Sequence, residues 1–249
     1  MKVNILTLFP EMFSPIQESI LKRAEEKGIL EIRLINIRDY TKERHNRVDD
    51  TPFGGGAGMV MQVQPILSAY RENHLNGRCL YMSPRGKMLN GTMAEELSHE
   101  EEFTILCGHY EGVDQRALDL LNAEEVTIGD YILTGGELPA MVLVDTVARF
   151  LDGVLAGEDS VRDESVYSGL LEYPQYTKPR NTEGIDVPEV LLSGDHQKVD
   201  LWRFEQSLRL TEERRPDLFR KYIENPPELS KQERKILEKY KTDGEKEFE

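Results

Sequence analysis

The feature that most constrains this chain is a repeated alternation of short apolar strands with amphipathic helices, with glycine-rich turns after several strand ends. Residues 3–8 read as a buried strand. Ser14-Pro15-Ile16-Gln17 then opens a helix: Ser caps, Pro takes the first turn and Gln closes a capping box. Ile16, Ile20 and Ala24, with Leu21 beside them, give its apolar face, and Gly28 ends it. Residues 30–37 form a second strand, and strand, helix, strand at this spacing predicts a parallel unit. The pattern recurs. Strands over 80–82, 103–107 and 126–128 alternate with helices over 93–97, 115–121 and 138–151. Residues 1–153 are therefore expected to form an α/β domain with a mainly parallel sheet.

Residues 154–168 are acidic, polar and short of large apolar side chains, and read as a mobile linker. Residues 169–249 read as a small, mostly helical domain. Leu201, Phe204 and Leu208 recur at helical spacing, with Trp202 adjacent and expected in the core rather than as a stacking platform. Ser230-Lys231-Gln232-Glu233 is a second capping box.

No stretch approaches the roughly 18 apolar residues of a membrane span. The apolar start meets Pro10 and Glu11 too soon for a signal peptide, so a cytoplasmic protein is expected. Cys79 and Cys107 each sit in an apolar run and read as buried, reduced thiols. The five histidines lack metal-ligand spacing, so no metal site is expected. The net charge of −15 argues, taken alone, against a nucleic-acid partner. Its distribution matters more. Arg38, Lys42, Arg44, His45 and Arg47 cluster in one segment, and Lys178, Arg180, Arg203, Arg209, Arg214 and Arg215 lie in the last third. Local basic stripes of this kind can bind RNA.

Three glycine-containing loops carry the chemistry: Ser83-Pro84-Arg85-Gly86, Gly108-His109-Tyr110-Glu111-Gly112, and the run from Ile128-Gly129-Asp130-Tyr131 to Gly135-Gly136. Each is expected beyond a strand's carboxyl end, where a parallel sheet binds ligands. Glycine lets backbone approach a ligand closely. Each loop alone could be a tight turn; together they point to one small-molecule site. The nucleotide signatures Gly-x-Gly-x-x-Gly and the phosphate-binding loop are absent. A further stretch, Asp49-Asp50-Thr51-Pro52-Phe53-Gly54-Gly55-Gly56-Ala57-Gly58-Met59, follows the basic cluster and is either an exposed connector or a loop whose bare backbone reaches phosphates.

These residues resemble the TrmD family, the bacterial tRNA (guanine-N1)-methyltransferases of the SPOUT class. The resemblance spans essentially the whole chain. It rests on Leu8-Phe9-Pro10-Glu11-Met12-Phe13, on Arg44-His45-Asn46-Arg47-Val48-Asp49-Asp50 with the glycine loop, and on Cys107-Gly108-His109-Tyr110-Glu111-Gly112-Val113-Asp114. It continues in Ile128-Gly129-Asp130-Tyr131, Gly135-Gly136-Glu137-Leu138-Pro139-Ala140 and Gly169-Leu170-Leu171-Glu172-Tyr173-Pro174. Leu191-Leu192-Ser193-Gly194-Asp195-His196, Trp202-Arg203 and Arg214-Arg215-Pro216-Asp217-Leu218 complete it.

The resemblance implies an α/β domain tied in a deep trefoil knot, whose loops hold S-adenosylmethionine. Carried over by motif, Gly108, Ile128, Gly129, Asp130, Tyr131, Ile132 and Leu133 would contact the cofactor, and Tyr81, Ser83, Pro84, Tyr110, Glu111, Gly112, Gly135, Gly136 and Pro139 would complete its pocket. It implies a homodimer with active sites shared between subunits, and a C-terminal domain that grips the tRNA anticodon arm. The substrate would be the guanosine immediately 3′ of the anticodon. Guanine N1 carries a proton, so methylating it needs a base, and charge then builds on O6. By motif the arginine facing that charge is Arg149, in Val147-Ala148-Arg149-Phe150. The base falls on Glu164, followed by Ser165, where the family's common pattern has Asp; neighbouring Asp163 is the alternative. Competing readings are another SPOUT methyltransferase, a non-catalytic RNA-binding protein and a nucleotide-dependent oxidoreductase. The first would lack the 49–59 and 191–196 motifs, the second would not keep the glycine loops and Arg149, and the third lacks its fingerprint.

Overall fold

The computed structural model describes residues 1–155 and 166–244. The chain divides into two compact units, Met1–Glu158 and Asp159–Glu249. The first runs β1 (Lys2–Thr7), α1 (Ser19–Glu26), β2 (Glu31–Asn36), β3 (Asp49–Asp50), β4 (Val60–Met61), α2 (Val63–Glu72), β5 (Arg78–Met88), α3 (Gly91–Ser98), β6 (Glu102–Cys107), α4 (Gln115–Leu121), β7 (Glu124–Thr127) and α5 (Glu137–Ala148).

Five of these strands form one parallel sheet in the order β2-β1-β6-β5-β7. Val3 lies between Ile32 and Phe103, and Met82 between Cys107 and Val126. Successive strand residues point to opposite faces, so the sheet has two apolar sides. Val3, Ile5, Leu80, Phe103 and Ile105 pack with Leu21 and Ala24 of α1, Leu97 of α3 and Leu143 and Val147 of α5. Leu6, Tyr81 and Leu106 face Ile66 and Ala69 of α2 and Ala117 and Leu118 of α4. The result is helix, sheet, helix, as a parallel sheet requires to bury both faces.

Two local expectations fail. Residues 10–17 form a 3-10 helix with Pro15 inside it, and no side chain caps it. The α-helix starts only at Ser19, after extended Glu18, and Ser19 itself has φ +57°. Ser14 and Gln17 therefore make no capping box. Residues 83–86 are also not a free turn. They lie within β5, which slips register between Met82 and Lys87 so that both pair with Val126. Gly86 permits this, because a Cβ there would stand 2.3 Å from the Val126 nitrogen.

The second unit holds a two-stranded hairpin, β8 (Asn181–Thr182) and β9 (Ile185–Asp186), then α6 (His196–Arg214), α7 (Pro216–Glu224) and α8 (Lys231–Gly244). Leu170, Leu208, Phe219, Tyr222 and Leu237 form its core. The capping box at Ser230 is present: Glu233 N donates to Ser230 Oγ at 3.2 Å, and Ser230 N to Glu233 Oε2 at 2.7 Å. Trp202 is not part of that core. It is half-buried, with its ring 6.3 Å from that of Tyr176.

Candidate methyl-donor site

A cavity of ≈300 Å³ opens beyond the carboxyl ends of β6 and β7, beside the middle of the β5 strand that lies between them. Tyr81, Ser83 and Pro84 come from β5, the 108–112 loop follows β6, the 128–136 loop follows β7, and Pro139 comes from the first turn of α5. The three loops meet, as their number and spacing led one to expect, because β5 lies between β6 and β7 in the sheet. Every residue assigned to the pocket by resemblance lines this cavity except Asp130, which is exposed and outside its lining.

Close backbone approaches explain the glycines. A Cβ on Gly108 would meet the Tyr81 ring at 2.8 Å, and one on Gly136 the Cys107 Cα at 2.7 Å. Gly136 N donates to Gly108 O at 2.9 Å, which locks the start of α5 to the loop after β6. Thr127 fastens the next loop: its hydroxyl donates to Gly129 O at 2.9 Å and accepts from Gly129 N at 3.2 Å. Tyr131 folds back over Gly129, where a Cβ would meet its ring at 2.2 Å. The loop then presents apolar surface outward, with Ile132 81% exposed. Exposed apolar side chains around a cavity mark a place where a ligand supplies the missing contact.

Sequence reading missed His109 and Glu137. The His109 amide donates to Met61 Sδ at 3.2 Å, and its ring lies 4.8 Å from that of Phe9. Glu137 is only 1% exposed and accepts a hydrogen bond from the Thr7 hydroxyl at 2.9 Å. A carboxylate opening a twelve-residue, apolar-rich helix was the available signal. Burial pushes the Tyr81 phenol above its ordinary value, with the Glu125 charge adding to it.

Among the described residues, the cavity lining holds no Lys or Arg and one carboxylate, Glu111. A polyphosphate would find no basic side chain there. A small ligand with positive charge and a flat heterocycle fits better, because Glu111 offsets the charge and the glycine-lined walls admit the ring.

The two catalytic candidates stand differently. Arg149 caps the carboxyl end of α5 and does not line the cavity. Gly136, which does, lies thirteen residues earlier, so at about 1.5 Å per helical residue the two ends are about 20 Å apart. Glu164 and Asp163 lie outside the described residues.

Of the basic residues, Arg44, Arg47, Lys178, Arg180, Arg209, Arg214 and Arg215 are exposed. Arg47 pairs with Asp50 at 2.8 Å and Arg215 with Asp217 at 2.7 Å. Arg203 stacks over the Tyr173 ring at 4.8 Å. No helix of the described residues is long and apolar enough to cross a membrane.

Residues 1–221 match the family described as tRNA (Guanine-1)-methyltransferase TrmD. The chain is 53% identical over 227 residues to a tRNA (guanine-N(1)-)-methyltransferase of Clostridioides difficile, covering 89% of this chain and 98% of that one. A protein of the same name from Alkaliphilus oremlandii is 52% identical over 252 residues, covering 97% and 99%. One from Carboxydothermus hydrogenoformans is 56% identical over 222 residues, covering 88% of each.

Proposed function

Because the chain belongs to the tRNA (guanine-1)-methyltransferase TrmD family, and so methylates N1 of guanine in tRNA, we propose that its donor is S-adenosylmethionine and its target the guanosine immediately 3′ of the anticodon. The observation that carries the donor is the cavity: three glycine-bearing loops, apolar walls and Glu111 as its single carboxylate. Those features suit a ligand with a sulfonium, an ammonium and an adenine. Glu111 would balance the positive charge, and Ile132, Leu133 and the backbone of the 128–136 loop would hold the ring. The knot belongs to this reading. The bond from Gly136 N to Gly108 O closes one loop against another just where the chain enters buried α5.

The bound donor supplies an electrophilic methyl group. The chain's own residues deal with the proton and the charge. Glu164, or Asp163, takes the proton from guanine N1 as N1 bonds to the methyl carbon and the carbon–sulfur bond breaks. Arg149 faces O6, where the negative charge gathers.

The distance between Arg149 and the cavity at the other end of α5 favours a site shared between two copies of the chain. A second copy brings its Arg149 to the first copy's cavity. The outer face of α5 supports such a dimer: Leu138 and Val142 are about half exposed. Beside them Pro15, Ile20, Met141, Val142 and Thr146 line a cleft of ≈400 Å³. In the second unit, Lys178, Arg180, Arg203, Arg209 and Arg214 are the contacts for anticodon-arm phosphates. With tRNA as substrate, the cytoplasm is the compartment.

The test is to incubate the protein with methyl-labelled S-adenosylmethionine and unmodified tRNA and to map the label. N1-methylguanosine next to the anticodon is expected. Label at another base, or none, overturns the reading.

A further inference from the structure

Phe53 is 98% exposed, more than any other large apolar side chain among the described residues. Single exposed apolar residues are common and need no explanation. This one differs in where its loop is tied. It sits in the loop between β3 and β4, which pair as Asp49 with Met61 and Asp50 with Val60. The returning limb of the loop is stitched to the cavity. Glu111 N donates to Met59 O at 2.9 Å, Met61 N to Gly112 O at 2.9 Å, and Asp114 N to Met61 O at 3.0 Å. Gly58 lies directly on Glu111: a Cβ there would stand 2.3 Å from the Glu111 Cγ. The base of the loop is thus part of the cavity rim.

The tip is built differently. Gly54, Gly55 and Gly56 have φ of +87°, +79° and +131°, and a Cβ on the first two would touch nothing within 4 Å. Three successive positive-φ glycines after Phe53, two of them with open space around them, leave its ring on a swivel. The chain just before the hairpin carries exposed Arg44, His45 and Arg47. An aromatic ring in water, on a hairpin that follows exposed arginines in the chain and is tied to the rim of a cavity, suits a nucleobase among its phosphates.

We infer that Phe53 is a base-stacking residue for the substrate RNA: its ring covers a nucleobase adjoining the target guanine and replaces the stacking that base loses when the target enters the site. The inference rests on the RNA-methylation reading above. Taking a base from its stack costs a few kcal/mol, and a protein ring can restore part of that. The glycines let the ring follow the base, while the Met59–Glu111 and Met61–Gly112 bonds keep the loop registered to the cavity.

Phe53→Ala, Phe53→Tyr and Phe53→Trp test it, each in the full chain. With saturating S-adenosylmethionine, Phe53→Ala should lower kcat/KM for tRNA about 5- to 100-fold. Phe53→Tyr should restore most of it. Affinity for S-adenosylmethionine alone, by calorimetry, should be unchanged. In Phe53→Trp the added indole should be quenched by an anticodon stem-loop, whereas native Trp202 supplies the control signal in the parent protein. Equal kcat/KM in the alanine variant overturns the inference, as does an indole blind to the stem-loop. A Phe53→Ala protein that dissociates in sedimentation also overturns it, by making the ring a contact between copies. A parent protein that methylates no tRNA overturns the functional reading instead, and the indole signal still decides whether Phe53 meets RNA.

Discussion

Glu137 Oε2 lies 3.7 Å from His109 Nε2, while its other oxygen accepts from the Thr7 hydroxyl. One buried carboxylate at the start of α5 is therefore bonded to the end of β1 and faces the loop after β6. A Cβ on Gly135 would stand 2.4 Å from Glu137 Oε2 and 2.6 Å from His109 Nε2, so Gly135 is what lets the two approach beneath the loop. The first turn of a helix also favours a negative charge.

Replacing Glu137 by Leu leaves the buried Thr7 hydroxyl without its acceptor. Loss of a buried partner costs about 1–3 kcal/mol. At about 2–4 °C per kcal/mol for a chain of this size, a melting point lower by several degrees is expected. Glu137→Gln keeps an acceptor for Thr7 and should lose less. Donor affinity should fall in both, because His109 lines the cavity. Calorimetric melting and donor titration check this; a Leu variant with unchanged stability would show that the buried pair contributes nothing.

The two glycines at the cavity should fail in different ways. A Cβ on Gly136 meets backbone, the Cys107 Cα and the Gly108 nitrogen. Gly136→Ala must move a strand end, and should destabilise the protein by roughly the 1–3 kcal/mol of an overpacked site. On Gly129 the atoms nearest a Cβ all belong to the Tyr131 ring, which can swing away. Gly129→Leu should keep near-native stability and lose donor binding as the cavity fills. Equal donor affinity in Gly129→Leu and the parent would remove the 128–136 loop from the site.

The thiols give a pH prediction. Burial pushes Cys79 up to about 12, aided by the Glu124 charge, and pushes Cys107 well above its ordinary value, aided by Glu137. Native protein at pH 8.5 should therefore resist iodoacetamide until denaturant is added. The folded state holds these protons where the unfolded chain, near 9, releases them. Their contribution is complete below pH 9 and is lost as pH rises from 9 towards 12. Denaturant midpoints should decline over that window and be restored in part by Cys79→Ala if cavity loss is small. Rapid alkylation of the native protein would contradict the burial.

How far the chain could be read from sequence depended on where the deciding contacts lay. Residues 115–121 were expected as a helix and form α4, because Ala117 and Leu118 mark a local apolar face and Asp114 caps it through Arg116 N. Residues 103–107 likewise sit in β6. Helix α2 gave no clear signal, since Pro65 and the polar Gln62 and Gln64 break its pattern and its Ile66 and Ala69 are buried by distant partners. The Ser14 cap failed because Phe13 and Ile16 are drawn into the core along a 3-10 path instead. At the cavity, the loops were legible from their glycines. Their convergence on one site was expected from their number, but the strand order that brings it about, β5 between β6 and β7, was not. Asp130 was carried over with its neighbours and is exposed, outside the cavity lining.

The separation of Arg149 from the cavity makes a mixing experiment decisive for the shared site. Arg149→Ala keeps an intact cavity and Gly129→Leu keeps an intact arginine. Each alone should be inactive. In a randomly formed mixture of equal amounts, half the dimers are mixed, and each of these has one site with both parts intact. Recovery of about one quarter of the parent activity is expected for a two-fold dimer with shared sites. No recovery, with mixed dimers shown to form, would mean that each chain supplies its own arginine.

The base is the last point to test, and this chain makes it unusual. The family's common pattern has Asp before Ser ahead of Gly-Leu-Leu, whereas here Glu164 precedes Ser165 ahead of Gly169-Leu170-Leu171. Glu and Asp have similar intrinsic pKa values, so the extra methylene changes reach more than basicity. Asp163 has the usual length but is one residue out of register. Removing a general base typically costs about 10² to 10⁴ in rate. Glu164→Gln should lose activity on that scale while binding S-adenosylmethionine normally, and Asp163→Asn should lose far less. Glu164→Asp should retain most activity if reach is the only difference. Single-turnover methylation at saturating donor separates chemistry from product release. A dead Asp163 variant beside an active Glu164 variant would move the base by one residue. If both variants keep full rate, the proton leaves guanine N1 by another route and Arg149 becomes the only catalytic side chain in the assignment.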